Sequence, residues 1–278
     1  MADQIVGICR FSFLGKGDWI GMRGSNVIDA DALARQAAIL YAPERLARRM
    51  RAFETMFLPW ISAQTDQDFA LWILTSPELP ADTRARLQEL CAGLAQVRII
   101  TSDLRVTDDA LSAPLAKAAA RQDGRPVMQF RIDDDDTLSR HYIARLRAQM
   151  RRFDDLGAVA ISMPLGIILR SYGTEPLSYW RLNQSFGSAG AAARLWMANR
   201  SIYSRNHFAL PRALPSFCEP REPGYVQIRW NMGDSAVPAQ ENWGPHYNQI
   251  SREAYEAMIA DDFPWLADAD LGFITGAS

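Results

Sequence analysis

The chain has 278 residues, of which 48% are hydrophobic and 22% charged, which is enough apolar material for one large α/β unit spanning residues 1–278. Its net charge of −2 and sequence pI near 6.0 argue against a nucleic-acid partner, whose phosphates need a broad basic surface. Three cysteines without CxxC spacing, and no apolar run of about 18 residues, predict a cytoplasmic protein that does not span a membrane, although peripheral membrane contact stays open.

The first half of the chain alternates between strand and helix patterns. Short apolar runs predict strands, and apolar residues at helical spacing predict helices. The predicted strands are 5–9, 69–74, 97–100 and 127–132, and the predicted helices are 44–62, a segment opened by Pro80, and 113–121. Such alternation favours a mostly parallel sheet with helices on both faces, whose ligands bind beyond the carboxyl ends of the strands.

The second half is less regular. We predict an arginine-rich amphipathic helix over 138–153, a bent apolar segment over 158–169, a loop entering a helix over 187–193, and a strand over 225–230. The last third is rich in Trp, Tyr, Asn, Pro and His. These side chains suit sugar hydroxyls and CH faces, and they are equally common as packing beneath long loops.

Four consecutive aspartates, residues 133–136, directly follow the strand predicted over 127–132. Adjacent carboxylates repel one another unless a cation or hydrogen-bond donors gather around them. Alternate residues of a strand point the same way, so Asp133 and Asp135 can converge on Mg²⁺ or Mn²⁺. The alternative is that Asp136 or Thr137 caps the predicted helix while the other aspartates are solvated.

The acidic run also matches a phosphatase pattern. Asp133 to Thr137 fits the DxDxT of haloacid-dehalogenase-type phosphohydrolases, in which Asp133 would be the nucleophile. That pattern usually sits on the first strand and needs a later lysine, whereas several strand–helix units precede it here and no lysine follows Asp136. A calcium loop fits less well, because Leu138 and Ala144 stand where an EF-hand needs Gly and Glu.

Several short segments of the first half carry a family likeness. They are residues 10–12, 51–59, 63–66, 68–69, 74–76 and 129–136. Together they resemble a family of bacterial rhamnosyltransferases related to the family-2 GT-A glycosyltransferases. The resemblance implies a GT-A-like, Rossmann-like fold and a sugar transferase that uses a nucleotide-diphosphate sugar donor and a divalent metal, Mn²⁺ or Mg²⁺.

Roles at the acidic run follow from this resemblance. The family-2 strand-end pattern is a hydrophobic residue, Asp, any residue, Asp, Asp, and residues 132–136 match it. Asp133 would then lie near the ribose, and Asp135 would ligate the metal together with Asp133. Related enzymes often add a late histidine as a metal ligand. Here Asn231 follows the relevant strand, so His207 and His246 are the substitutes, and we assign His246 to the metal.

The remaining site residues are expectations of the same kind. Residues 1–137 would bind the nucleotide sugar, and residues 138–278 would form the side facing a glycan, lipid or small-molecule acceptor. The residues expected to contact the donor are Arg10, Phe11, Ser12, Asp66, Arg131, Asp133 and Asp134. Of these, the two arginines are candidates for stabilising charge on the departing diphosphate. Glu219 and Glu222 are candidates for the catalytic base that an inverting transferase needs.

Two further classes are weighed against the transferase. A sugar nucleotidyltransferase would also use an α/β sheet and acidic metal ligands, but its glycine-rich basic signature near the N-terminus is absent: residues 15–17 are Gly-Lys-Gly, and Gly21 and Gly24 do not complete it. A non-catalytic sugar- or protein-binding domain would be expected to lack the metal site, and the intact aspartates argue against it.

Overall fold

The structure is a computed structural model, and the chain is described here over residues 4–16, 29–173, 175–187, 189–231 and 244–275. Gly17, Gly21 and Gly24, which were weighed as part of a glycine-rich signature, lie outside these ranges. The strands are β1 Ile5–Arg10, β2 Ala70–Thr75, β3 Val97–Thr101, β4 Met128–Asp133, β5 Thr137–Leu138, β6 Val159–Ser162, β7 Leu165–Ser171, β8 Ser178–Asn183, β9 Ala191–Arg194, β10 Ser216–Cys218, β11 Tyr225–Trp230 and β12 Tyr247–Ile250.

Helices occupy most of the connections between these strands. They are α1 Ala30–Leu40, α2 Pro43–Ala52, α3 Leu58–Ala63, α4 Ala81–Cys91, α5 Thr107–Ala120, α6 Tyr142–Arg152, α7 Leu210–Ala213, α8 Arg252–Ile259 and α9 Gly272–Thr275. A π-helical turn at Phe53–Phe57 joins α2 to α3, so the predicted helix 44–62 exists with a bulge in its middle. In the part of the chain that the structure describes, no helix is long and apolar enough to cross a bilayer.

The larger sheet has seven strands in the order β10-β6-β9-β4-β1-β2-β3. Its first four strands in the sequence, β1 to β4, pair in parallel, and β9 runs antiparallel between β4 and β6. Successive β1 residues alternate between two hydrophobic cores, one under α2, α3 and α6 and the other under α5. The predicted mixed α/β class, with a mostly parallel sheet flanked by helices, is therefore confirmed.

A second sheet of five strands has the order β12-β8-β7-β11-β5. Strands β7 and β11 are parallel, and the other pairings are antiparallel. Its outer face packs on α8 and α9 in a third core. Strand β4 belongs to the first sheet and β5 to the second, so the acidic run between them is the crossing from one sheet to the other. Strands β6, β9 and β10 extend the first sheet, so this sheet contains strands from before and after residue 137.

Two predictions in the second half were wrong. The helix expected over 138–153 begins only at Tyr142, because Thr137–Leu138 pairs with Val226 and Tyr225 as strand β5. Asp136 and Thr137 therefore do not cap that helix. The segment expected to enter a helix after 187 is instead β9, whose three alanines are completely buried. The small alanine side chains fit into the larger sheet, which is covered by helices on both faces. Strand pairing here overrides the helix preference of alanine.

Candidate functional site

The order of strands in the larger sheet reverses between β1 and β4. Chain order runs outward from β1 through β2 to β3 on one side and begins again with β4 on the other. In open α/β sheets, such a switch point leaves a crevice beyond the carboxyl ends of the two strands. Arg10 ends β1 and Asp133 ends β4, and the register places them opposite each other.

A cavity of about 790 Å³ lies at this switch point. Its described basic lining residues are Arg10, Lys16, Arg49, Arg131, Arg205 and Arg229. Its acidic lining residues are Asp108, Asp133, Asp135 and Asp136, and its aromatic lining residues are Tyr172, Tyr203, Phe208, Trp230 and Tyr247. Basic side chains outnumber acidic ones, so the cavity favours an anionic ligand that also offers an apolar or sugar surface.

Asp134 and Asp135 are held from the helical side by one arginine. The Arg49 side chain, only 5% exposed on α2, forms ion pairs with both carboxylates. Its Nη1 donates to Asp135 Oδ2 at 2.6 Å, and Trp230 Nε1 donates to the same oxygen at 2.9 Å. The ion pair and the indole fix the direction of the Asp135 carboxylate.

Asp136 is bound to β11 of the second sheet. Gln227 Nε2 donates to its Oδ2 at 3.0 Å, and the Ile228 amide donates to its Oδ1 at 3.3 Å. Burial and the neighbouring charges of Asp135 and Asp133 raise the pKa of Asp136 well above its usual value, against the opposing effect of the Gln227 hydrogen bond. Asp134, Asp135 and Asp136 are thus held by partners on α2 and β11, while the Asp133 side chain, 34% exposed, faces the cavity.

A family model described as "Putative rhamnosyl transferase" matches residues 4–242. The chain belongs to this family. The match extends past residue 137 and includes β5, β7, β8 and β11 of the second sheet, whereas β12 lies beyond it. No curated protein matches the chain in sequence.

The fold is also similar to solved structures of TarS from S. aureus. One TarS structure has a TM-score of 0.40 and 9% identity, with 82% of this chain and 37% of that chain covered. A structure of TarS 1-349 in complex with UDP-GlcNAc has a TM-score of 0.40 and 9% identity over 97% of this chain and 68% of that chain. The chain thus spans little more than a third of the first TarS chain.

Four predicted site residues of this rhamnosyl transferase family member meet in the cavity. Arg10, Arg131, Asp133 and Asp135 all line it. Arg10 Nη2 lies 3.7 Å from Asp133 Oδ1, so β1 and β4 contribute opposite charges to the same wall. Two parallel neighbouring strands that end together account for this convergence.

Four predicted donor contacts lie elsewhere, and one of them is Asp134, whose completely buried carboxylate pairs with Arg49. The Phe11 side chain is completely buried, with its ring packed edge-on against Phe53 at 5.3 Å between centroids. Ser12 is 5% exposed in a turn with φ of 44°. Asp66 accepts a hydrogen bond from Arg147 Nε at 2.6 Å, on the side of α6. None of the four is among the described residues that line the cavity.

Glu219 and Glu222, predicted as the catalytic base, and His246, predicted as a metal ligand, also lie outside the described lining of the cavity. The Glu219 side chain, 5% exposed, accepts from Arg145 at 3.1 Å and from Arg221 at 2.8 Å. Glu222 is largely exposed, 4.0 Å from Arg145. These ion pairs turn the loop after β10 toward α6. His246 is exposed and lies outside the cavity lining, next to Tyr247, which is part of it.

His207 is the histidine that lines the cavity. Its Nδ1 lies 2.6 Å from the Phe186 carbonyl oxygen, which can only accept, so Nδ1 carries the proton and Nε2 is the unprotonated nitrogen. Burial, reinforced by the positive charge of Arg131, lowers the pKa of His207 to about 4. The imidazole is therefore neutral at neutral pH and adds a hydrogen-bond acceptor to the basic cavity.

The buried His207 makes stability depend on pH. Its pKa is 6.5 in an unfolded chain and about 4 when folded, so the unfolded state binds more protons between these values. The free energy of unfolding is thus unaffected above pH 6.5 and falls as the pH drops toward 4. We expect the free energy of unfolding, measured with urea, to fall less between pH 7 and pH 5 in His207→Gln than in the wild type. His246→Gln, at an exposed position, should match the wild type, and equal losses in all three proteins would contradict the assignment.

Sequence reasoning missed Arg49, and it counted Trp230 only among the aromatic residues of the last third. Arg49 lies on the buried face of α2, where Arg45 is also buried. A pair of arginines on an otherwise apolar helical face was a signal for buried ion pairs. Trp230 carried no such signal, because its contact with Asp135 depends on how the two sheets meet.

The donor atoms at the acidic run fit a hard divalent cation. Asp133 and Asp135 supply carboxylate oxygens to one cavity wall, which suits Mg²⁺ or Mn²⁺. Within the described ranges, no group of three or more His, Cys, Asp and Glu could hold a metal. Magnesium commonly takes one or two carboxylates and completes its shell with water and substrate phosphates. The arrangement therefore fits a cation shared with a phosphorylated ligand.

Proposed function

We propose that this chain is a glycosyltransferase that binds a nucleoside-diphosphate sugar in the switch-point cavity and transfers the sugar to a glycan, lipid or small-molecule acceptor. Membership of the rhamnosyl transferase family supports the reaction class. The observation that carries the proposal is the convergence of Asp133 and Asp135 with arginines of β1 and β4 in one cavity. Carboxylates for a metal and cations for phosphates are the two requirements of a nucleotide-diphosphate site.

Asp133 and Asp135 would hold the divalent metal. When bound, such a cation supplies Lewis-acid stabilisation of the charge on the diphosphate leaving group. The protein's own contribution is orientation. Arg49 and Trp230 fix the Asp135 carboxylate through one oxygen. Because these contacts are already made in the folded chain, little reorganisation is needed when the donor binds.

The cavity cations would bind and stabilise the diphosphate directly. Arg10 ends β1, and Arg131 lies two residues before the end of β4, the two strands that flank the switch point. A fixed guanidinium stabilises developing negative charge more effectively than water does, because it does not have to reorient during the reaction. The aromatic lining, including Tyr172 and Tyr247 from the second sheet, offers faces for the base or for sugar rings.

Donor binding tests the proposal. We expect calorimetric titration with UDP, GDP and dTDP to show binding of at least one of them that is stronger with Mn²⁺ than with a chelator. In Asp135→Asn, the metal-dependent part should be lost, with affinity lower by at least about tenfold. Asp109→Asn, at an exposed position on α5 outside the cavity, is the matched control.

The same preparation also tests the phosphohydrolase alternative. If Asp133 is a nucleophile, the protein should hydrolyse a generic aryl phosphate, and Asp133→Asn should abolish that turnover. Binding to none of the three nucleotides, together with such hydrolysis, would overturn the transferase proposal. Nucleotide binding without aryl phosphate hydrolysis would support it.

A further inference from the structure

Arg131 is a buried cation without an anionic partner in the described part of the chain. Its residue exposure is 9%, and its Nε makes no hydrogen bond. Its guanidinium packs on the ring of Tyr203, 4.5 Å from Cζ to the ring centroid. A buried charge is costly unless it is paired. Because Arg131 lines the cavity, an anionic ligand there could supply the missing partner.

Tyr203 contacts a second arginine of the same wall. The Arg10 Cζ lies 4.3 Å from the centroid of the same ring. Both guanidinium carbons are therefore held against one aromatic side chain, less than about 9 Å apart. Asp133 already lies 3.7 Å from Arg10, so an anion that contacts both guanidinium groups would chiefly compensate the charge of Arg131.

The Tyr203 ring is itself fixed by the backbone around it. Its hydroxyl donates to the Ile8 carbonyl at 3.2 Å, and Ile8 is the β1 residue opposite Arg131. Its own amide donates to the Ser201 side chain at 3.1 Å. The Gln129 side chain accepts from the Ile202 amide at 2.9 Å, which ties this turn to β4. Tyr203 is thus locked to both strands that carry the arginines.

We infer that Arg10 and Arg131 form a subsite for the diphosphate of the ligand and that Tyr203 is its positioning residue. The inference rests on the proposed function, because it assigns the anionic part of the proposed donor. Guanidinium groups match phosphate oxygens with paired hydrogen bonds. Cation–π contact with Tyr203 limits the rotamers of two long side chains, so less conformational entropy is lost when the ligand binds.

A set of variants distinguishes a role of Tyr203 in positioning the two arginines from a role in packing alone. Arg131→Gln removes one charge from the subsite, and Arg131→Lys keeps the charge without the planar fork. Tyr203→Leu removes the aromatic face, whereas Tyr203→Phe keeps it and loses only the hydroxyl. Arg212→Gln removes one positive charge at an exposed position outside the cavity lining and controls for net charge.

The readout is affinity for inorganic diphosphate and for the nucleotide that binds the wild type best, measured by calorimetry with Mn²⁺ at two salt concentrations. We expect a loss of about 30-fold in Arg131→Gln and about tenfold in Arg131→Lys. Tyr203→Leu should lose about fivefold to tenfold, and Tyr203→Phe and Arg212→Gln no more than about threefold. The salt dependence should weaken in Arg131→Gln, because fewer charges interact with the ligand.

Failure of this inference differs from failure of the proposed function. If the wild type binds no nucleoside diphosphate, the donor site itself is refuted. If the wild type binds one and both Arg131→Lys and Tyr203→Leu bind it equally well, the subsite assignment is overturned. Thermal unfolding of each variant shows whether it is folded, and Arg131→Lys carries the test should Tyr203→Leu fail to fold. Equal losses in Tyr203→Phe and Tyr203→Leu would assign the effect to the hydroxyl and overturn the role of the ring.

Discussion

Replacing Arg49 with methionine is expected to lower the free energy of unfolding by about 3–5 kcal/mol, because it leaves two buried carboxylates without their cation. The side chains of Asp134 and Asp135 are 0% and 8% exposed, and both form ion pairs with Arg49. Methionine has a similar length, so the packing of α2 changes little. Urea denaturation at neutral pH measures the effect.

Arg51→Met is the matched control on the same helix. The Arg51 side chain is 49% exposed, and its partner Asp270 is 71% exposed, so the loss should stay below about 1 kcal/mol. A loss in Arg49→Met as small as that in Arg51→Met would show that the buried ion pairs do not hold the acidic run. A further variant, Asp134→Asn with Arg49→Met, should recover part of the loss, since one of the two carboxylates that lost Arg49 is then neutral.

Gly166→Ala is expected to destabilise the protein by about 3 kcal/mol through overpacking. Gly166 on β7 pairs with Tyr225 on β11, and a Cβ at this position would lie 2.2 Å from Tyr225 Cε2. The tyrosine ring cannot move away easily, because it is completely buried and also packs against Gly187 and Gly190. Strand β11 would have to shift.

That shift should also reach the cavity. Strand β11 carries Gln227, which holds Asp136, and Trp230, which holds Asp135. We therefore expect Gly166→Ala to weaken nucleotide binding in addition to lowering the urea midpoint. Gly93→Ala is the matched control, since no atom lies within 4 Å of the position that its new methyl group would take, and it should change stability by no more than about 1 kcal/mol. Equal midpoints for the two variants would contradict the packing argument.

Two groups of residues surround the acidic run. Arg49 and β11 hold the acidic run from the protein side, whereas Arg10, Arg131 and Tyr203 line the cavity in which we propose that the ligand binds. A variant of the first group should reduce stability and binding together. A variant of Arg131 should reduce binding with little loss of stability, because the buried charge it removes has no protein counter-charge in the described part of the chain.

Local sequence determined the elements that surround the acidic run. The apolar run over 127–132 predicted β4, which spans Met128–Asp133, and the repeated strand–helix alternation predicted a mostly parallel sheet with its ligand site at the strand ends. Asp133, Asp135, Arg10 and Arg131 could be assigned to this site because each stands at or near the end of a strand. Neighbouring parallel strands bring such residues together regardless of the details of packing.

Tertiary structure alone decided which other side chains complete the site. Thr137–Leu138 became a strand because β11 pairs with it, although the local pattern favoured a helix. Arg49, Tyr203 and Trp230 reach the cavity from a helix, a turn and the second sheet, at sequence separations that no local pattern records. Glu219 was directed away by its ion pairs with Arg145 and Arg221. The sequence by itself thus determined the strand ends and their charges, whereas long-range packing decided which partners those charges meet, because pairing energy depends on contacts between distant segments.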